Sequence, residues 1–179
     1  MNRWQAIGVV PVVFAGAAFG FFYAWVCSTL WGLDTLAPQA AIDAMNAMNE
    51  SVRNPVFFAG FFLTPVVALV WGALLLWSGR RRAAIVAGVA AVVYVLGVVL
   101  LTNSFNLPLN DWLATVEVDD PAEVWSSYSG RWQVWNLVRT VVSGVVLAAL
   151  ACAVALAGNA PRSRRVGSGE PAVPVGAEA

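Results

Sequence analysis

The 179-residue chain is 60% hydrophobic and only 11% charged, with ten basic and ten acidic residues and a formal net charge of zero. A soluble domain carries about 25% charged and 45–50% apolar residues, so this chain lacks the polar surface to cover itself in water. It has no histidine and no lysine, which excludes His-ligated haem, zinc or copper, Ser-His and Cys-His catalytic pairs, and Schiff-base chemistry.

The first uncharged stretch runs from Trp4 to Leu33, with its apolar body at Ile7 to Val26. Arg3 ahead of it also suits a secretory signal. The run is long for one and no A-x-A site follows closely, so a membrane span is expected. Gly16 and Gly20 form a small-xxx-small pair, which reads as packing inside a bundle or, alternatively, as a homodimer contact. Pro38 to Arg53 follows as an amphipathic helix. Ala41, Met45, Met48 and Val52 fall on one stripe, and Ile42, Asn46, Asn49 and Arg53 on the next. Too short and polar to span, it is expected to lie on the membrane surface or to cap the bundle.

The second span is Pro55 to Trp77 and the third Ala83 to Leu101. Beyond Leu101 come Thr102, Asn103, Asn106, Pro108, Asn110 and Asp111. A residue before proline is pushed out of the α region, so the helix is expected to break near Leu107, with Asn103 and Asn106 on one face just before the break. The fourth span, Val134 to Leu156, contains a single charge, Arg139. The fold class is therefore all-α: an integral membrane four-helix bundle over residues 1–158, followed by a tail, 159–179, rich in Gly, Pro, Ser and Ala and expected to be disordered.

Charge predicts the orientation. Arg3, Arg80, Arg81, Arg82, Arg162, Arg164 and Arg165 fall on one side of four spans, which the positive-inside rule makes cytoplasmic, with both termini. The opposite loops hold Asp34, Asp43, Glu50, Asp111, Glu117, Asp119, Asp120 and Glu123 against Arg53 and Arg131. Trp4 and Trp77 at one edge, and Trp25, Trp31, Trp132 and Trp135 at the other, fit an interfacial belt. Cys27 and Cys152 fall near opposite edges and cannot bridge within one chain.

Arg139 is the most informative residue. Trp132, Asn136, Arg139 and Ser143 share one helical face. A guanidinium at this depth must snorkel, pair with a carboxylate such as Asp111, or face a ligand; the residues alone leave all three open. No Asp or Glu lies within a span and no glycine-rich phosphate loop is present, so proton-coupled transport and nucleotide-driven work are not expected. The short basic clusters beside the membrane give no nucleic-acid footprint.

The segments Phe14 to Ala24, Ala44 to Asn49 and Asn54-Pro55-Val56-Phe57 resemble the first half of the anthrone oxygenase-like membrane family. Asn106-Leu107-Pro108-Leu109-Asn110-Asp111-Trp112-Leu113 looks like its N-x-P-L-N-[DE]-x-L signature, and Trp132 with Trp135-Asn136 and Arg139 like its W-x-x-W-N-x-x-R segment. Ser28 to Leu33 lacks the proline that often follows the family's first span, so the loop geometry there is expected to differ. The resemblance implies oxidation of an anthrone-like or phenolic substrate, with no metal or flavin cofactor. On it, Arg139 would stabilise an enolate and Asp111 accept a proton. Asn46, Asn49, Asn103, Asn106, Asn110, Trp132, Trp135 and Asn136 would bind the substrate. The alternative class is a non-enzymatic binder of a lipid or hydrophobic metabolite, or an accessory subunit of a membrane complex. In either case the partners expected are the bilayer and a lipophilic small molecule, with the oligomeric state open.

Overall fold

The computed structural model describes residues 1–158. The tail expected to be disordered lies outside them. Five helices follow in chain order: α1, Arg3–Asp34; α2, Pro38–Ser51; α3, Pro55–Trp77; α4, Arg81–Thr115; and α5, Pro121–Leu156. No strand occurs among the described residues. Four of the helices, all but α2, are long and apolar enough to cross a membrane.

The starts are chemically specified. The Asn2 side chain accepts hydrogen bonds from the Trp4 and Gln5 amides at 3.0 Å, while Gln5 returns one to the Asn2 amide, closing a capping box. Asn54 caps α3 and Asp120 caps α5, each followed by proline in the first turn, where its missing N–H costs nothing. Gly79 has φ 79° and takes the chain from α3 into the basic turn.

The four long helices form an antiparallel ring. α1 packs on α3 and α5, and α4 packs on α3 and α5. The core between them is built from small residues, including Ala83, Ala87, Ala90 and Ala91 on α4, around Trp71, Tyr94 and Leu150. Lipid tails are as apolar as leucine, so close packing rather than water exclusion holds such helices together. Close approaches between the long helices occur at Gly8, where an added Cβ would overlap Trp71 and lie 2.8 Å from Val154, at Gly97 against Val142, and at Gly144 against Phe19. Gly16 and Gly20 are not among them: a Cβ at Gly20 meets nothing within 4 Å. The buried stripe of α1 runs instead through Gly8, Pro11, Ala15, Ala18 and Phe22, so Gly16 and Gly20 are not the close-packing pair within the bundle.

At the end bearing the N-terminus, Trp71 Nε1 donates to the Trp4 carbonyl at 3.0 Å, and Asn2 and Arg80 both donate to the Ala157 carbonyl. Arg3 and Arg80 lie over the Trp4 ring. At the far end the helices outrun a bilayer. The 36 residues of α5 span about 54 Å, against a hydrocarbon core of about 30 Å. The exposed apolar side chains of α5 begin at Val134. Above that level a second apolar core joins Leu30 and Leu33 of α1, Ala41, Ile42 and Met45 of α2, Leu109 and Leu113 of α4, and Trp125, Tyr128 and Trp132 of α5. α2 therefore caps the bundle, as its stripe suggests.

α4 does not break at Leu107. It runs unbroken to Thr115, passing through wide π-turns at Val95–Leu100 and Thr102–Asn106. The second turn ends just before Leu107-Pro108 and re-registers the hydrogen bonds. Pro108 then falls in the opening turn of the next α-helical segment, where no donor is needed.

Close approach at Gly8 and open space at Gly20 predict opposite outcomes for the same change. Gly8→Ala should lower the thermal unfolding temperature in detergent. Gly20→Ala should leave it unchanged or raise it, by up to about 1 kcal/mol of helix propensity. Equal destabilisation by both would contradict this packing.

Candidate functional site

Between the two apolar cores lies a polar layer, supplied mainly by one face of α5: Asn136, Arg139, Thr140 and Ser143, all buried. Thr140 and Ser143 return their hydroxyl protons to the carbonyls of Asn136 and Thr140 within the same helix. Arg139 is 5% exposed and turned inward. Its Nη2 donates to Asn136 Oδ1 at 3.1 Å and its Nη1 to Thr102 Oγ1 at 3.3 Å. The guanidinium lies 4.7 Å from the Phe22 ring and 5.3 Å from the Trp132 ring, close enough for cation–π attraction.

Each partner is itself anchored, Thr102 within α4 and Asn136 from α1. Thr102 sits in the π-turn of α4 and gives its own proton to the Val98 carbonyl, leaving oxygen lone pairs for the arginine. Asn136 Nδ2 donates to the Phe22 carbonyl of α1 at 3.3 Å. That orients Asn136 Oδ1 toward Arg139. Phe22 lies just ahead of the π-turn Trp25–Thr29. π-turns often sit at functional sites because they redirect side chains and backbone groups; here two of them flank the same layer.

This geometry removes two of the three readings of Arg139. The side chain does not snorkel, being buried. Among the described residues it makes no salt bridge: the ion pairs are Arg53 with Asp111 at 3.5 Å and Arg53 with Glu50 at 3.9 Å. The Asp111 side chain is 68% exposed and faces Arg53, so the pairing of Arg139 with Asp111 is not formed. α4 explains why: nine residues separate Thr102 from Asp111, about 13 Å of helical rise. A cation held by neutral acceptors and aromatic faces keeps its attraction for an anion.

The surroundings are also under-satisfied. Arg139 Nε, Trp132 Nε1, Asn106 Oδ1, Asn46 Oδ1 and Asn49 Nδ2 are buried and have no hydrogen-bond partner within the described protein. Such atoms cost about 1–3 kcal/mol each when left unmet; a sixth, Tyr94 Oη, belongs to the alanine-rich core, and the other five lie toward the capped end. Asn106 Nδ2 meets only the Trp132 carbonyl, at 3.4 Å.

A groove of about 410 Å³ opens beside α2, lined by Asn46, Asn49, Arg53, Asn110 and Asp111 among others. Tyr128, wholly buried, donates to Asn110 Oδ1 at 2.8 Å and stands at its inner side. Sequence reading missed Tyr128, although it lies one turn above Trp132 on the same face of α5. The predicted residues thus divide. Trp132 and Asn136 contact Arg139, and Asn106 bonds the Trp132 carbonyl behind them; Asn46, Asn49, Asn110 and Asp111 line the groove. Trp135 stacks on Phe105 at 3.7 Å and lines a different groove with Trp112 and Arg131. Asn103 is exposed while Asn106 is buried, because the wide π-turn rotates them apart.

The family model for anthrone oxygenase matches residues 53–151. The chain belongs to the anthrone oxygenase family. The matched segment runs from Arg53 through α3 and α4 into α5 and includes Arg139. Phe22, Asn46 and Asn49 lie before it. No curated protein and no solved structure matches the chain.

The layer predicts a contrast between two asparagines. Asn136→Ala removes an acceptor from a buried cation and should cost about 1–3 kcal/mol of stability, whereas Asn103→Ala should stay within about 0.5 kcal/mol. Denaturant or thermal unfolding in detergent measures both, and equal effects would deny the layer its structural role.

Proposed function

We propose that this member of the anthrone oxygenase family takes a lipophilic, weakly acidic aromatic compound of the anthrone type and holds its oxygen on Arg139. Dioxygen then oxidises the enolate so formed. The observation that carries the reading is the buried guanidinium with neutral acceptors and an unpartnered Nε. A positive charge fixed in a water-poor site stabilises a developing oxyanion far more than it would in water. Trp132 and Phe22 offer faces to a planar ring; Trp132 Nε1 offers an unmet donor to its oxygen, and Asn106 Oδ1 an unmet acceptor to a phenolic O–H.

The chemistry balances without a further reductant. The substrate CH₂ loses one proton to a base, leaving a carbanion whose charge is shared with the oxygen on Arg139. The carbon forms a bond to dioxygen, and the peroxide takes up a proton. Loss of water then breaks the O–O bond and leaves a second C=O. One oxygen atom stays in the product and the other leaves as water. Asp111, at the mouth of the groove and too far from Arg139 to touch the reacting carbon, is the proposed final proton acceptor, reached through water in the groove.

The second reading is binding without turnover. It is favoured by one observation: among the described residues, no carboxylate stands beside Arg139. We further propose that the capped end of the bundle faces outward and both termini face the cytoplasm, which the segregation of arginines from acidic residues supports.

Two measurements test these readings. With anthrone and dioxygen supplied to the protein in nanodiscs, quinone formation should match oxygen uptake. Arg139→Gln should reduce kcat/KM by about 10²–10³, the range for losing one oxyanion donor; an unchanged rate would remove Arg139 from the chemistry. Saturable binding without oxygen uptake would leave the binder reading. In a background lacking Cys27 and Cys152, a membrane-impermeant maleimide on intact cells should label Thr115→Cys and spare Arg82→Cys; the reverse pattern would invert the orientation.

A further inference from the structure

A crevice of about 140 Å³ opens between α1 and α3 on the flank that meets lipid. Ala18, Phe21 and Phe22 wall it on one side and Phe57, Gly60 and Phe61 on the other. Val56 at its rim is 85% exposed. The seam between these helices is not loose along its length. At Gly8 there is no room for a methyl group beside Trp71, whereas a Cβ at Gly60 would meet nothing within 4 Å. α1 and α3 therefore close at the end bearing the N-terminus and part toward the capped end.

Phe22 is the wall shared with the polar layer. Its ring borders the crevice, and Arg139 lies 4.7 Å from the same ring. A single aromatic side chain thus separates a lipid-facing apolar slot from a buried guanidinium.

We infer that this crevice seats one aromatic ring of a bilayer-dissolved phenol, with its hydroxyl end directed past Phe22 to Arg139. The inference rests on the reading of Arg139 as the group that holds the ligand's oxygen, and it adds the seat and the lateral route. Size fits one ring, since an apolar cavity of about 150 Å³ binds benzene. The lining fits too. Phe21 and Phe22 meet edge to face at 5.6 Å, Phe21 and Phe57 lie 5.0 Å apart, and Phe22 and Phe61 6.4 Å, leaving ring edges and faces for an aromatic guest. Charge separates a phenol from a phospholipid chain. Only the phenol carries an acidic oxygen at the depth of Arg139, which lies five residues, about 7 Å, below Val134.

The test uses the full chain in nanodiscs and two fluorinated probes followed by ¹⁹F NMR, against empty nanodiscs of the same lipid. Fluorobenzene, with no acidic group, reports the crevice alone; 4-fluorophenol reports the crevice and Arg139 together. Gly60→Leu fills the slot from α3 and Ala17→Leu narrows it from α1, so failure of one variant to fold leaves the other. Both probes should bind, and each filling variant should weaken both by about tenfold or more. Arg139→Gln should weaken 4-fluorophenol by a similar factor. Fluorobenzene that shows no binding beyond empty nanodiscs, or that ignores both filling variants, overturns the crevice. If 4-fluorophenol responds to the filling variants but not to Arg139→Gln, the seat stands, and the link to Arg139 falls with the enolate reading.

Discussion

One cation, with no neutralising carboxylate among the described residues, organises the distal half of this molecule. Arg139 sits on a helix whose neighbours are apolar above and below, where an isolated charge is costly unless something holds it. What holds it is assembled from three helices: the hydroxyl of Thr102, the amide oxygen of Asn136 and the faces of Phe22 and Trp132. None of these neutralises the charge. A carboxylate would have made a closed structural pair; neutral acceptors solvate the cation without cancelling its charge.

The helices bend their own rules at this level. α1 and α4 both widen into π-turns where they pass the arginine, and α4 absorbs Pro108 through the same device. Below the layer, alanines and a few glycines bring the helices close enough for van der Waals packing. Above it, α2 lies across the ring and completes an aromatic-rich core with Trp125, Tyr128 and Trp132. The Trp125 indole N–H is tied down by Asp34 at 2.9 Å. The site is thus bounded by tight bundle beneath and by a capping helix above, with a groove at the cap and a slot between α1 and α3.

The family match covers the part of the chain that carries Arg139, Asn106 and Asn136. The first helix and the cap, outside the match, contribute Phe22, Asn46 and Asn49. The cationic centre and its amides therefore belong to the segment shared with the family, while Phe22, Asn46 and Asn49 come from elements outside the matched segment.

Composition and hydrophobic run length by themselves determined the all-helical, four-span architecture. The reason is that a bilayer admits few ways to satisfy a backbone, and a run of about 20 apolar residues is one of them. Helical period likewise put Trp132, Asn136, Arg139 and Ser143 on one face and the stripe of α2 on another. Period fails where winding changes: the π-turn Thr102–Asn106 separated Asn103 from Asn106 and carried α4 through the expected break. It also cannot weigh one glycine against another, because what matters is the neighbour across the seam, Trp71 for Gly8 and nothing for Gly20. Only tertiary structure decided that Asp111 meets Arg53 rather than Arg139, and that Phe22, distant in the chain, stands against the guanidinium. Those outcomes depend on distances between helices, and no spacing within one helix encodes them.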